Sequence, residues 1–255
     1  MAIEASPPRP GDRVLDLGCG FGETTRRLAD LVGSEGSALG VDVSEPFVET
    51  ARRETEEAGA ANVEFLCADV QTLQLPQEFD YAYARMGLMF FANPVAALRN
   101  VRRALVPGGR LSAVVWRRKL DNEWVRRAEL VVADYLDHPE KSDEPTCGPG
   151  PFSMADADTV SEQLKIAGFE EISLRRCDLP IKIGDDLDQA VEFGMALGPA
   201  GEVLRLWGDR VDEIRPEIAA KIRESIADLE RPDGVFAQAS TWILTAKAGP
   251  DQPAQ

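Results

Sequence analysis

The stretch that decides the fold is "RVLDLGCGFGETTRRLADL", Arg13 to Leu31. Gly18, Gly20 and Gly22 follow directly on a short apolar run and directly precede a segment with helical spacing. Glycine is needed where a backbone turns tightly and lets a ligand approach, because a Cβ would block both. A strand, a glycine-rich turn and a helix open a nucleotide-binding unit, whose ligand rests at the helix N-terminus. The spacing also discriminates between ligands. A dinucleotide loop reads G-x-G-x-x-G or A, the third small residue letting helix pack on strand, and counting from Gly18 and Gly20 that position is Glu23. A bulky acid there argues against a nicotinamide cofactor.

Outward from this loop, strand and helix patterns alternate, which predicts a mostly parallel, Rossmann-like sheet with helices on both faces. The first strand is Arg13 to Leu17, and the helix after the glycines carries Leu28, Leu31 and Val32 on one face. "ALGVD" makes a second strand ending at Asp42; Ser44 as N-cap, Pro46 in the first turn and Gly59 at the end bound the next helix. "VEFLC" and "FDYAYAR" are strands three and four, joined by a link too short for a full helix. An amphipathic helix follows, with Val95, Leu98, Val101 and Leu105 inward, then "PGG" and the buried strand "RLSAVVW". Further on, Ser153 is the expected N-cap of a helix stopped by Gly168, strand six lies within "EEISLRRCDLPIKIG", and "STWILTAKA" is the last strand. The expected organisation is one domain over 1–255 with a cofactor-binding half over 13–116. Helical insertions over 117–153 and 186–237, the second with at least two helical patterns, form a cap that meets substrate.

Composition narrows the function classes. The 255 residues carry a formal net charge of -16, and such a surface repels phosphate backbones and anionic headgroups. Nucleic acid is not expected as a partner. No apolar run reaches the roughly 18–20 residues of a membrane span, and the start lacks a basic-then-apolar leader; a cytoplasmic location is expected. Cys19, Cys67, Cys147 and Cys177 form no C-x-x-C pair and read as free thiols, while a single histidine, His138, cannot build the usual histidine-rich metal sites. No metal is expected.

Two acids point to the ligand. Asp16 lies two residues before the first glycine, where its carboxylate can reach a cationic group such as an amino-acid ammonium. Asp42 closes the second strand 20 residues after Gly22, where a carboxylate can accept both hydroxyls of a ribose. A ligand with a ribose, an amino-acid end and no phosphate is S-adenosylmethionine.

At this point the chain resembles the class I S-adenosylmethionine-dependent methyltransferases. The resemblance runs through "VLDLGCGFG", "GVDVSE", "FLCADVQTLQLP", "FDYAYARMGLMFFANPVAALRNVRRALVPGGRL" and "AGFEEISL" in the family's order. The nearest branch is the small-molecule group like the ubiquinone/menaquinone C-methyltransferases. The resemblance covers about residues 13 to 183 and the last strand, and implies a seven-stranded sheet with that strand antiparallel. It implies that Asp16, Gly18, Cys19, Gly20 and Gly22 hold the methionine part, Asp42 the ribose and Val43 the face of the adenine. It implies further that Asp69, flanked by Ala68 and Val70, accepts from the adenine amino group, with Arg85 and Met86 beside the methionine moiety and the transferring methyl. The product would be S-adenosylhomocysteine. Read singly, Asp42 also suits a helix entry, Asp69 a turn and Arg85 an exposed strand end.

The reaction leaves a fainter trace. Much of the catalysis of a sulfonium methyl transfer is alignment of the nucleophile. A hydroxyl or acidic-carbon acceptor gains from a general base, for which His138, between Asp137 and Pro139, is the candidate and a solvated loop histidine the alternative. Enzymes that methylate amide or adenine amino groups place N-P-P-[YFW] after strand four; here Arg85-Met86-Gly87-Leu88 stands there, and Asn93-Pro94 suits a helix start. The expected acceptor is a small, partly apolar molecule, methylated at oxygen or carbon, with Met86, Leu88, Met89, Phe90, Phe91, Phe193, Met195 and Trp207 as lining or as packing. Relatives usually carry several tens of residues before the first strand, where about twelve precede Arg13 here; either "MAIEASPPRPG" is the remnant of such a helix after truncation or a late start, or the two insertions and a partner subunit, as in a homodimer, supply the lid. A non-catalytic methyltransferase-like subunit and a nicotinamide-dependent oxidoreductase are the alternative readings.

Overall fold

The computed structural model describes residues 2–136 and 149–250. In chain order the elements are α1 (Ala2–Ala5), β1 (Arg13–Leu17), α2 (Glu23–Val32), β2 (Ser37–Asp42), α3 (Glu45–Ala58), β3 (Val63–Cys67), β4 (Phe79–Arg85), α4 (Pro94–Ala104) and β5 (Leu105–Trp116). They continue with α5 (Glu123–Ala133), α6 (Ala157–Ile166), β6 (Phe169–Gly184), α7 (Leu187–Ala196), α8 (Gly198–Trp207), α9 (Arg215–Ile226), β7 (Glu230–Arg231) and β8 (Gly234–Ala248). The sheet order is β3-β2-β1-β4-β5-β8-β6, with β7 on β8.

The seven expected strands are present, and the two-residue β7 adds an eighth. β1 pairs in parallel with β2 and β4, β2 with β3, and β4 with β5. Gly249 N–H donates to Gly168 O at 3.0 Å, and Thr241 Oγ1 to Cys177 O at 2.9 Å, so β8 runs antiparallel to β6. β1 is central because Val14, Leu15 and Leu17 are fully buried, the continuous apolar run that a parallel strand covered on both faces requires.

The chain divides into two compact units. The first is drawn from the described residues of Met1–Trp116, Gly148–Arg176 and Trp242–Gln255, the second from those of Arg117–Cys147 and Cys177–Thr241. The first unit has a core of Leu15, Leu17, Ala82, Leu98, Val101, Leu111 and Leu244. In the second, α5, α7, α8 and α9 bury Ala128, Val132, Val191, Val203, Leu204, Ile218, Ile222 and Ile226. The Trp124 and Phe193 rings stack there at 5.6 Å.

Several local expectations need correcting. Leu31 is 44% exposed, and the inward face of α2 is Thr25, Leu28, Ala29 and Val32. Asp156, not Ser153, caps α6: its side chain accepts from Thr159 N–H, a better acceptor one turn closer to the apolar run, while the Ser153 hydroxyl donates to Met89 O at 2.6 Å. Ser44 stands at the N-cap of α3 without a side-chain bond, and its backbone N–H donates to Asp42 Oδ1 at 3.0 Å. The last strand begins six residues earlier than "STWILTAKA" suggests, at Gly234 rather than Ser240, and the second insertion holds three helices. Leu88 and Met89 are core, each 1% exposed. His138 and Cys147 lie outside the described residues; Cys19, Cys67 and Cys177 are free. Among the described residues no helix is long and apolar enough to cross a membrane, and no cluster of three or more His, Cys, Asp or Glu is placed to hold a metal ion.

Candidate functional site

The site is built by strand register at the carboxyl ends of the parallel strands, where ligands of open α/β sheets bind. Leu17 pairs with Val41, so the glycine loop leaves β1 level with Asp42. Asp42 pairs with Cys67, which brings the turn at Ala68 and Asp69 to the same edge. Asp16 pairs with Tyr83 on the other side, and the end of β4 thus carries Arg85 to the loop.

Within the loop, Gly18, Gly20 and Gly22 all have positive φ, 67°, 54° and 77°. Gly22 also has no room for a side chain, and Gly18 little. A Cβ on Gly22 would lie 2.5 Å from the Phe65 ring and 2.9 Å from Ala51 Cβ, and one on Gly18 3.1 Å from Gly87 Cα. The N–H groups of Gly18 and Cys19 both donate to Val41 O, at 2.8 and 3.2 Å, which pins the turn to β2. Gly20 N–H donates to Asp42 Oδ2 at 2.9 Å. With Ser44 N–H on its Oδ1, the Asp42 carboxylate is fixed in one orientation with a lone pair left on each oxygen.

Asp16 is 1% exposed and accepts from the Thr25 hydroxyl at 2.6 Å. Burial pushes its pKa up to about 6, against the opposing pull of the Thr25 bond and the Arg85 charge. Cys19 sits beside it, its thiol pushed up to about 12 by burial and by the Asp16 and Asp42 charges; it is a neutral wall rather than a nucleophile. Asp16, Gly18, Cys19, Gly20, Phe21, Glu23, Thr24 and Arg85 line a cavity of ≈ 200 Å³. Arg85 Nη2 lies 3.2 Å from Glu23 Oε2, both side chains more than half exposed. Met86 has φ 61°, a conformation that non-glycine residues rarely hold outside functional or over-determined sites.

The remaining candidates divide. Val43 is 69% exposed beside Asp42 and free to meet a ligand, whereas Val70 is core. Ala68 N–H donates to Asp42 O at 2.9 Å and ties the β3 turn to β2. Asp69 holds Gln71 through the backbone N–H, at 2.8 Å, and through the side-chain amide.

Three features escaped the sequence reading. Thr25, the partner of Asp16, is a polar residue on the apolar stripe Thr25, Leu28, Ala29 and Val32, a signal the spacing carries. Glu23, read only as evidence against a dinucleotide, lines the cavity as the partner of Arg85. Phe21 and Phe47, both exposed, meet with ring centroids 4.6 Å apart at the loop; single aromatics in a loop and a helix carry no mark of such a pairing.

In the second unit, Asp188, Val191, Glu192, Met195, Ala196, Arg215, Pro216, Ala219, Ala220 and Arg223 line a wide groove of ≈ 760 Å³ between α7 and α9. Of the expected apolar residues, Met195 lines it; Phe193 packs on Trp124, and Trp207 lies under the Arg210 guanidinium at 4.5 Å.

The family described as methyltransferase domain matches residues 14–109. The chain is 39% identical over 113 residues to the ubiquinone/menaquinone biosynthesis C-methyltransferase UbiE of Ectopseudomonas mendocina, a match covering 44% of each chain. It is 34% identical over 111 residues to the aklanonic acid methyltransferase DauC of a Streptomyces species, covering 43% of this chain and 50% of that one. The match thus spans about half the length of these curated relatives. Among solved structures, the YcgJ protein of Bacillus subtilis superposes with a TM-score of 0.63 at 18% identity over 98% of this chain and 97% of that one, which speaks for the fold alone.

Proposed function

We propose that this chain, whose residues 14–109 match the methyltransferase-domain family, transfers a methyl group from S-adenosylmethionine to an oxygen or carbon of a small, partly apolar molecule. The observation that carries this reading is the turn of Gly18, Gly20 and Gly22, all at positive φ, held against Asp42, whose two fixed oxygens each keep a lone pair for a ribose hydroxyl. A glycine turn pinned to β2, an acid at the end of β2 and a buried acid behind the loop together fit this cofactor.

When bound, S-adenosylmethionine supplies an electrophilic methyl on a sulfonium, so alignment of the nucleophile provides much of the rate. The chain's residues then divide the work. Asp16, oriented by Thr25, faces the ammonium, and Arg85, at the cavity wall, is available to a carboxylate. Val43 covers one face of the adenine and Asp69 accepts from its amino group. Gly18, Cys19, Gly20 and Gly22 shape the wall for the methionine part, Ala68 and Val70 hold the Asp69 turn, and Met86 borders the methyl. A base is needed only for a hydroxyl or acidic-carbon acceptor, and His138 is the residue to test first. The insertions over 117–153 and 186–237 are the candidates for setting acceptor preference. Both curated relatives are named for small-molecule acceptors, and the charge of -16 disfavours nucleic acid.

Calorimetric titration with S-adenosylmethionine and S-adenosylhomocysteine, with NAD as control, tests the reading. Saturable binding of the first two, lost on Asp42→Ala, is expected. Absence of binding by folded protein, or NAD binding in its place, would remove it. Methyl transfer to candidate acceptors then separates an enzyme from a non-catalytic subunit that only binds the cofactor.

A further inference from the structure

β6 closes one side of the sheet, and no strand lies beyond it among the described residues. With 16 residues it is the longest strand of the sheet, whereas β3 closes the other side with five. A long edge presents a row of N–H and C=O groups that another strand can bond, which proteins usually prevent with short edges or repelling charges. β6 is charged, but its signs are separated. In the stretch "EEISLRR", Glu170 and Glu171 stand at one end, Arg175 and Arg176 at the other, and Ser173 midway. All five are exposed, while Ile172 and Leu174 pack against the core of the first unit. Glu171 meets Lys247 of β8 at 2.6 Å; Glu170, Arg175 and Arg176 have no ion pair among the described residues. Glu171 has φ 49° within the strand, a kink of the kind a bulge makes, which bends the acidic end without ending the strand.

We propose that this edge joins two copies of the chain, the two β6 strands pairing antiparallel about a two-fold axis at Ser173. That pairing sets the acidic end of each copy against the basic end of the other, Glu171 opposite Arg175, and does so twice because the contact is isologous. The same pairing centred on Glu171 or on Arg175 sets like charges together, and so does a parallel one in register, so the charges select one arrangement. Pro180, which has no N–H, limits how far the ladder can extend. The inference does not depend on the cofactor reading.

Sedimentation velocity of the full chain over a series of concentrations tests it, with circular-dichroism melts to verify the fold. The wild-type chain is expected to show a concentration-dependent monomer–dimer equilibrium. Arg175→Glu with Arg176→Glu makes both ends acidic, and Glu170→Arg with Glu171→Arg makes both ends basic. Each double variant is expected to associate with itself at least about 10-fold more weakly, since attraction becomes repulsion at both symmetric ends. Mixed one to one, the two variants are expected to recover a dimer about as strong as the wild type's, because opposite charges then meet at both ends. A wild-type chain that stays monomeric at every concentration overturns the inference. So do variants that self-associate as the wild type does, or a mixture that associates no better than either variant alone.

Discussion

The two units of the chain solve different problems with different means. In the first, polar groups are aimed by backbone: Asp42 is clamped by Gly20 and Ser44, Asp16 by Thr25, and the loop by Val41. In the second, four helices pack through small and branched residues; Gly194 lies against Ala128 and Ile222, and Gly198 against Val125. Ion pairs such as Arg205–Glu202 and Lys221–Glu224 lie on its exposed faces. Chemistry that depends on backbone positioning demands particular residue types at fixed spacing. A surface that selects by shape demands only amphipathic helices, which many sequences satisfy.

The comparison can be broken most sharply at Gly22. Valine there combines a left-handed backbone with a side chain pressed into Phe65 and Ala51, and is expected to cost about 3–5 kcal/mol. That corresponds to a fall in melting temperature of roughly 10 °C, together with lost cofactor binding. Gly59, with φ 67° and nothing within 4 Å, is the control: alanine there should cost about 1 kcal/mol. If the two substitutions prove equally mild, the loop is not the close-fitting cradle described above.

Next in size is a cavity in the second unit. Ile222 is fully buried on α9, and Ile222→Ala is expected to destabilise by about 2–5 kcal/mol. The affinity of the remaining folded protein for S-adenosylhomocysteine should stay unchanged. A large loss of affinity, measured by titration below the melting transition, would contradict the division of labour.

The sequence made the first unit legible because its strands are continuous apolar runs bounded by turn residues, and because Asp16, Gly18, Gly20, Gly22 and Asp42 follow one another at distances a parallel sheet fixes. In the second unit it showed helical patterns, which α5, α7 and α9 match, but not how they pack. α8 is absent from the helical patterns of the sequence because "GPAGEVLRLW" opens on glycine and proline, although Pro199 sits at the start of the helix, where proline is tolerated. Partnerships across the chain, Thr25 with Asp16 and Gln71 with Asn93, join residues 9 and 22 positions apart and become visible only once the sheet brings them together.

A third prediction uses pH. The folded pKa of Asp16, about 6, stands above the ordinary 3.8, so the folded state binds more protons between those values and stability falls as pH rises through them. Above pH 6 the buried charge costs about 3 kcal/mol. Asp16→Asn, which can still accept from Thr25, removes that cost. Its stability gain should be present at pH 7–8 and vanish as pH falls toward 4, as followed by thermal melts. Binding behaves oppositely: an ionised Asp16 facing an ammonium requires S-adenosylhomocysteine affinity to fall below pH 6 and to be lost in Asp16→Asn. Affinity that stays flat from pH 5 to 7.5 would mean that Asp16 is a structural acid that meets no cation.

The smallest effect on stability belongs to Arg85 and Glu23, and it sharpens the contrast between holding the fold and holding a ligand. Their side chains are 56% and 78% exposed, at 3.2 Å, a pair worth under about 1 kcal/mol in water. Either Arg85→Ala or Glu23→Gln should therefore leave the melting temperature almost unmoved. For ligand binding the two should part company. If Arg85 meets the cofactor carboxylate, Arg85→Ala weakens S-adenosylhomocysteine binding by about 10-fold at low salt, and by less as salt screens the charge. Glu23→Gln releases the guanidinium from the Glu23 carboxylate and should tighten binding slightly. Opposite signs from two partners of one ion pair cannot come from a loss of the pair itself, so that outcome would identify Arg85 as a ligand-binding residue, and equal signs would return the pair to the surface.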